Sequence, residues 1–260
     1  MSTAKQSVTF GRGVRSEWVK LRTVRSTWWL AGLSFVAVFG IGCIVGIGHK
    51  TTSTLKASSA LGGTLLATLL IGSLGVLFVT GEYATGMIRS TFTAVPKRTP
   101  IVWGKALLLI AVLTPLLIAT NALTVVVAGS LSKATHPYSL TDATTARIVV
   151  GGGFALALFA ALGSALGWLI RSSPGALVSF FLLTTVAPSI LATINSTCER
   201  IAEYAPPVAL AAVLRDSHGG SGDVGHRLSS GAGLLVLLAW VVVPLVLSQV
   251  RVRRSDVAPG

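Results

Sequence analysis

Residues 60–129 read ALGGTLLATLLIGSLGVLFVT (60–80), GEYATGMIRSTFTAVPKRTPIVW (81–103) and GKALLLIAVLTPLLIATNALTVVVAG (104–129). Two long apolar runs flank a basic, turn-rich stretch. About 20 apolar residues cross a hydrocarbon core of about 30 Å as a helix, so each run is long enough to span a membrane. The pattern decides the fold class, an all-α integral membrane protein, and the rest of the chain repeats it.

Six stretches qualify as spans, at about 27–48, 60–80, 104–129, 147–170, 174–195 and 231–250. An even number returns the chain to its starting side. The organisation predicted is a cytoplasmic arm with an interfacial helix (1–26), a six-span domain (27–250) and a cytoplasmic tail (251–260). The chain is 52% apolar and 11% charged, too apolar for an ordinary soluble domain. Its net charge of +13 invites a nucleic-acid reading. The charges lie between the apolar runs, however, which fits a polytopic membrane protein and not a nucleic-acid binder. Fourteen Lys and Arg fall on the side holding both termini and seven on the other, while acidic residues divide three to five. The positive-inside rule then places both termini in the cytoplasm, as a multi-pass protein of the cell (plasma) membrane. His49, His136, His218 and His226 fall outside. The first run is longer than a signal-peptide core, and only weak small-residue sites follow it, so it reads as an uncleaved span. Cys43 and Cys198 are too few for a disulfide framework.

Several kinds of chemistry are missing from the sequence. No Asp or Glu lies in the middle of a span, which argues against a proton- or sodium-coupled carrier. There is no HExxH, no GxSxG elbow and no Walker A loop, so the chain is read as neither an enzyme nor a nucleotide binder. Asn121, the clearest polar side chain deep in a span, is expected to bond a neighbouring helix. Gly163 and Gly167, four apart, suit close helix packing, within the bundle or against a second copy. Pro115, Pro188 and Pro244 each fall inside a span and are expected to kink it or be absorbed by packing. The longest outer connection, 196–230, reads either as two short helices dipping toward the membrane or as a surface loop.

Two cytoplasmic pieces are amphipathic. In residues 14–29, VRSEWVKLRTVRSTWW, helical spacing puts Val14, Trp18, Leu21 and Val24 on one face and Arg15, Lys20 and Arg22 off it. Such a helix lies in the interface with its cations near anionic headgroups, as an anchor or as a brace for a partner. Trp28 and Trp29 mark the water–lipid boundary. In the second piece Gly81 permits a break as the second span ends, and Met87, Ile88, Thr91, Phe92 and Val95 share one face of a short helix. Pro96 and Pro100 turn the chain back. Glu82 would open that helix, either stabilised by its dipole or aimed at a partner's Arg or Lys.

SEWVKLRTVRSTWW followed by GEYATGMIRSTFTAVPKR resembles actinobacterial ABC transporter permeases of the type-two export family, and the layout agrees over nearly the whole chain. The resemblance implies a half-transporter that does no chemistry itself and binds no cofactor. ATP and magnesium would sit on two copies of a partner ATPase, and a second permease copy or a paralogue would complete the pathway. It implies that the loop after the second span is a coupling helix seated on the ATPase, with Glu82, Tyr83, Gly86, Met87, Arg89 and Phe92 at the contact. Trp18, Lys20, Leu21 and Arg25 would belong to the connecting helix, and 201–214 to outer re-entrant helices. The function implied is efflux of a hydrophobic or amphiphilic substrate. The alternative is a non-transporting membrane anchor or immunity-type protein.

Overall fold

A backbone in lipid has no water to bond, so its amides and carbonyls must be satisfied within helices. The computed structural model describes residues 18–21, 23, 25–48, 56–87, 99–132, 142–215 and 228–254, and the regular elements among them are all helical. In chain order they are α1 (Arg25–Gly48), α2 (Ala57–Ala60), α3 (Thr64–Ala84), α4 (Thr99–Leu131), α5 (Ala143–Ile170) and α6 (Ser173–Phe181). A π-helical segment (Leu182–Val186) leads into α7 (Ala187–Ile194), followed by α8 (Ser196–Ala202), α9 (Pro206–Val213) and α10 (Ser230–Arg254). Six stretches are long and apolar enough to cross a membrane, with α6 through α7 counting as one.

The edges of these helices differ from the expected spans, for local reasons. α3 does not break at Gly81 but runs on to Ala84. The Thr85 amide and hydroxyl both donate to the Gly81 carbonyl, at 3.1 and 2.9 Å, which extends the helical bonding. The chain leaves the helix at Gly86, whose φ of +71° suits a residue without a Cβ. α5 begins ahead of 147, because the Asp142 side chain accepts from the Thr145 amide and caps it. In the fifth span Pro188 can offer no amide to the preceding turn, and the π-helical segment directly before it absorbs the misfit. The outer connection contains the two short helices α8 and α9.

α5 is the most buried of the six spanning stretches, and the fifth, α6 through α7, is the least. α5 packs against α3, α4, α6 and α10, and Leu156, Phe159 and Trp168 are fully buried in a core that also holds Ile71, Leu74, Leu109 and Leu113. α3 and α5 meet backbone to backbone. A Cβ on Gly75 would lie 1.9 Å from the Ala160 carbonyl oxygen, and one on Gly163 would lie 2.1 Å from the Gly72 oxygen. Gly163 therefore serves packing inside one chain. Lipid tails are as apolar as leucine, so this close fit, and not apolar burial, draws the helices together. Asn121 donates to the Val149 carbonyl at 3.3 Å, joining α4 to α5 as expected of it.

These approaches generate a prediction. Gly75→Val or Gly163→Val places a side chain where a main-chain carbonyl sits, and overpacking of this kind costs about 1–3 kcal/mol or more. Both variants should lower the thermal unfolding midpoint in detergent. Gly40→Ala, which meets open space, should be neutral or slightly stabilising. Equal midpoints for all three would refute the packing assignment.

Candidate functional site: a buried charge cluster

The C-terminal turn of α3 reads VTGEYA, and its carboxylate lies in the interior. Glu82 is 6% exposed, and its Oε1 lies 2.6 Å from Lys20 Nζ and 2.9 Å from Lys105 Nζ. Lys20 stands in the short helical stretch before α1, and Lys105 lies inside α4 and is fully buried. The Lys105 ammonium also sits over the Phe78 ring, 4.5 Å from its centroid, where the negative face of the ring attracts it. One carboxylate thus ties together the N-terminal arm, the end of α3 and the start of α4.

The arrangement corrects the expected role of Glu82. The residue was expected to open a short helix, where the dipole favours a negative charge. It lies instead at the C-terminal end of α3, where the dipole opposes one. The two ammonium groups hold it there. Burial of these ions costs solvation, and the pairing offsets that cost only while all partners remain. Lys20, expected to face the headgroups, turns inward to the carboxylate. Among the described residues Glu82 Oε2 has no hydrogen-bond partner.

A second set of contacts surrounds Tyr83. Its ring meets Trp168 edge-on, with centroids 5.9 Å apart at 82°, and the Arg171 guanidinium lies 5.9 Å from its centroid. Arg171 ends α5 in the left-handed region, φ 60°, and its amide donates to the Gly167 carbonyl at 2.9 Å. Arg251 Nη1 donates to the Leu169 carbonyl, one of the acceptors left open at the end of α5. Trp103 Nε1 donates to Gln249 Oε1 at 2.8 Å, tying α4 to α10. Through these contacts the arm, the end of α3, the start of α4 and the ends of α5 and α10 gather at one end of the bundle. Lys20 and Arg251, close to the two termini, therefore lie on the same side.

The remaining expected site residues are placed as follows. Leu21 is buried, Trp18 is 43% exposed, and Arg25 is the exposed first residue of α1. Gly86 forms the turn out of α3, and Met87, just beyond it, is 47% exposed. Arg89 and Phe92 lie outside the described residues, as does most of the short helix expected around them. The sequence reading missed Lys105, Arg171 and Arg251 as members of the site, having counted them as loop and tail charges. A signal existed for Lys105: one lysine inside IVWGKALLLI and one glutamate inside LFVTGEYA face each other across a helical hairpin.

A family model described as ABC-2 family transporter protein matches residues 15–257. No curated protein matches the chain.

The cluster predicts a non-additive mutant series. Glu82→Gln removes the carboxylate that both lysines bond, and breaking a buried ion network in this way costs about 3–5 kcal/mol. It should lower the unfolding midpoint in detergent sharply. Lys105→Met together with Glu82→Gln should recover part of that loss, because the buried cation and its partner then leave together. Additive losses in the double variant would show that the two residues act separately.

Proposed function

We propose a function on the premise that the chain belongs to the ABC-2 family of transporter proteins, which the match over residues 15–257 establishes. As a member it is a multi-pass membrane protein and the membrane component of a transporter. On our reading it is the permease subunit of an ATP-driven exporter in the plasma membrane, with both termini in the cytoplasm. Two ATPase subunits bind ATP and magnesium, and a second permease copy or paralogue completes the pathway. The substrate is hydrophobic or amphiphilic, in keeping with spans that carry no acidic group at mid-depth.

The observation that carries this reading is the Lys20–Glu82–Lys105 cluster. It sits where α3 gives way to the connection spanning 85–98 and binds that point to the arm and to α4. A push on the connection would reach three parts of the bundle at once, instead of bending one helix end. Motion of the ATPases on nucleotide binding would then shift the spans between two discrete arrangements. Met87, Arg89 and Phe92 would meet the ATPase from the connection, while Glu82 and Tyr83 would transmit from inside. Trp18, Leu21 and Arg25 would steady the arm at the membrane surface.

The test is a mild-detergent pull-down of the tagged chain from its own membranes, read by mass spectrometry and ATP hydrolysis. A stoichiometric P-loop ATPase is expected. Met87→Asp and Arg89→Ala should cut stimulated hydrolysis about tenfold, the effect of losing about 1.4 kcal/mol at a contact, while the unfolding midpoint holds. If no ATPase is captured, even after crosslinking at 81–95, the anchor or immunity reading takes over.

A further inference from the structure

Twenty-four residues of helix separate Arg171 from Arg147 along α5, a rise of about 36 Å. Arg147 therefore stands at the opposite end of the bundle from the Glu82 cluster, where α9 packs on α5 and α10. Its guanidinium donates from Nη1 to the Val213 carbonyl at 3.2 Å and to Ser230 Oγ, and from Nη2 to the Arg215 carbonyl. Three segments meet on one side chain: the start of α5, the end of α9 and the start of α10.

The chemistry of the acceptors is specific. Val213 is the last residue of α9, and Arg215 lies two beyond it. Carbonyls at a helix C-terminus have no donor within the helix and carry its negative pole. A planar guanidinium can meet several such acceptors at once, which an ammonium cannot. Elsewhere α9 rests on α10 through close apolar packing: a Cβ on Gly233 would lie 2.6 Å from the Ala209 oxygen. The turn between α8 and α9 is also tied to α10, by Trp240 Nε1 donating to the Tyr204 carbonyl at 2.8 Å. α9 and the turn before it are thus joined to α10, and Arg147 supplies a polar tie from that unit to α5.

The two ends of the bundle are fastened differently. At the Glu82 end a buried carboxylate is held by two ion pairs, beside the Arg251–Leu169 and Trp103–Gln249 hydrogen bonds. At the Arg147 end the tie is made to two carbonyls and a hydroxyl, whose hydrogen bonds water can take over once the segments part. A tie of this kind can open and close.

We infer that Arg147 is a positioning residue for transport: a reversible clasp that holds α9 against α5 in the closed state and releases it when the bundle opens on that face. The inference rests on the exporter reading for its place in a cycle, but the clasp itself can be tested without it.

The experiment is hydrogen–deuterium exchange on the purified complex of the full chain with its ATPase in lipid nanodiscs. It compares wild type, Arg147→Met, Arg147→Lys and Ser230→Ala, without nucleotide and after trapping with ATP, magnesium and vanadate. In wild type the 206–215 peptide should be protected and should speed up on trapping. In Arg147→Met it should exchange about tenfold faster without nucleotide, the ratio given by about 1.4 kcal/mol of lost bonding, and trapping should add nothing. Arg147→Lys should lie between and keep its response to trapping, which a merely structural role would not distinguish. Unchanged protection in Arg147→Met overturns the clasp. If that variant loosens α3 and α5 as well, Ser230→Ala decides: faster exchange confined to 206–215 supports the clasp, and no change overturns it. A wild-type peptide that ignores trapping in a complex that hydrolyses ATP overturns the switching role and leaves the exporter reading intact. Absence of any ATPase from the complex defeats that reading instead, and the nucleotide-free comparison still judges the clasp.

Discussion

The close approach of α3 and α5 is the constraint on which the rest of the bundle depends. Gly75 lies against the Ala160 carbonyl and Gly163 against that of Gly72, so two main chains touch along their length. Lipid gives no hydrophobic reward for joining helices, and association must come from dispersion contacts and interhelical hydrogen bonds. A glycine-lined contact maximises the first. With α3 and α5 locked together, α5 becomes the axis against which α4, α6 and α10 pack. The fifth span, which includes the π-helical segment, is left as the least buried stretch. The positions of both polar sites follow from this axis, since each lies at one of its ends.

The ends are built from different chemistry, and the difference sets what each can do. Around Glu82, a buried carboxylate and the fully buried Lys105 are taken out of water, and the partly exposed Lys20 joins them. Such a cluster is costly to open, because the Glu82 carboxylate and the Lys105 ammonium are paired in a medium of low dielectric. On the proposed reading it transmits force without releasing. Around Arg147, one charge faces carbonyls and a hydroxyl at the rim of the fold. On our reading that tie opens where solvent can take over from the lost partners. A rigid joint on one face and a releasable tie on the other suit a bundle that is driven from one side and opens on the other.

How much of this was legible in the sequence differs from residue to residue. The six apolar stretches and the basic connection after the second are visible from composition and spacing, whereas 196–230 read either as a surface loop or as the two short helices that the structure contains. Leu21 was placed on an apolar face and is buried, and Asn121 was assigned to a neighbouring helix and bonds one. Glu82 was singled out, but for the wrong surroundings. The sequence suggested a helix start after Gly81, since glycine permits a break. Tertiary contacts supplied two ammonium groups that let α3 carry the carboxylate through to its last turn.

By itself the sequence determined that this chain spans a membrane as helices, how many, and which connections are charged. Those properties depend on residues close together along the chain, through the length of an apolar run and the period of a helix. Only the tertiary structure decided that Lys20, Glu82 and Lys105 form one cluster, and that Arg147 reaches the end of α9. The residues of each group are separated by tens of positions, and an ion pair records no trace of its partner in the sequence around it. The hairpin of α3 and α4 hints at the Glu82–Lys105 pair alone; the meeting of the rest is set by how the arm, α5, α9 and α10 pack in three dimensions.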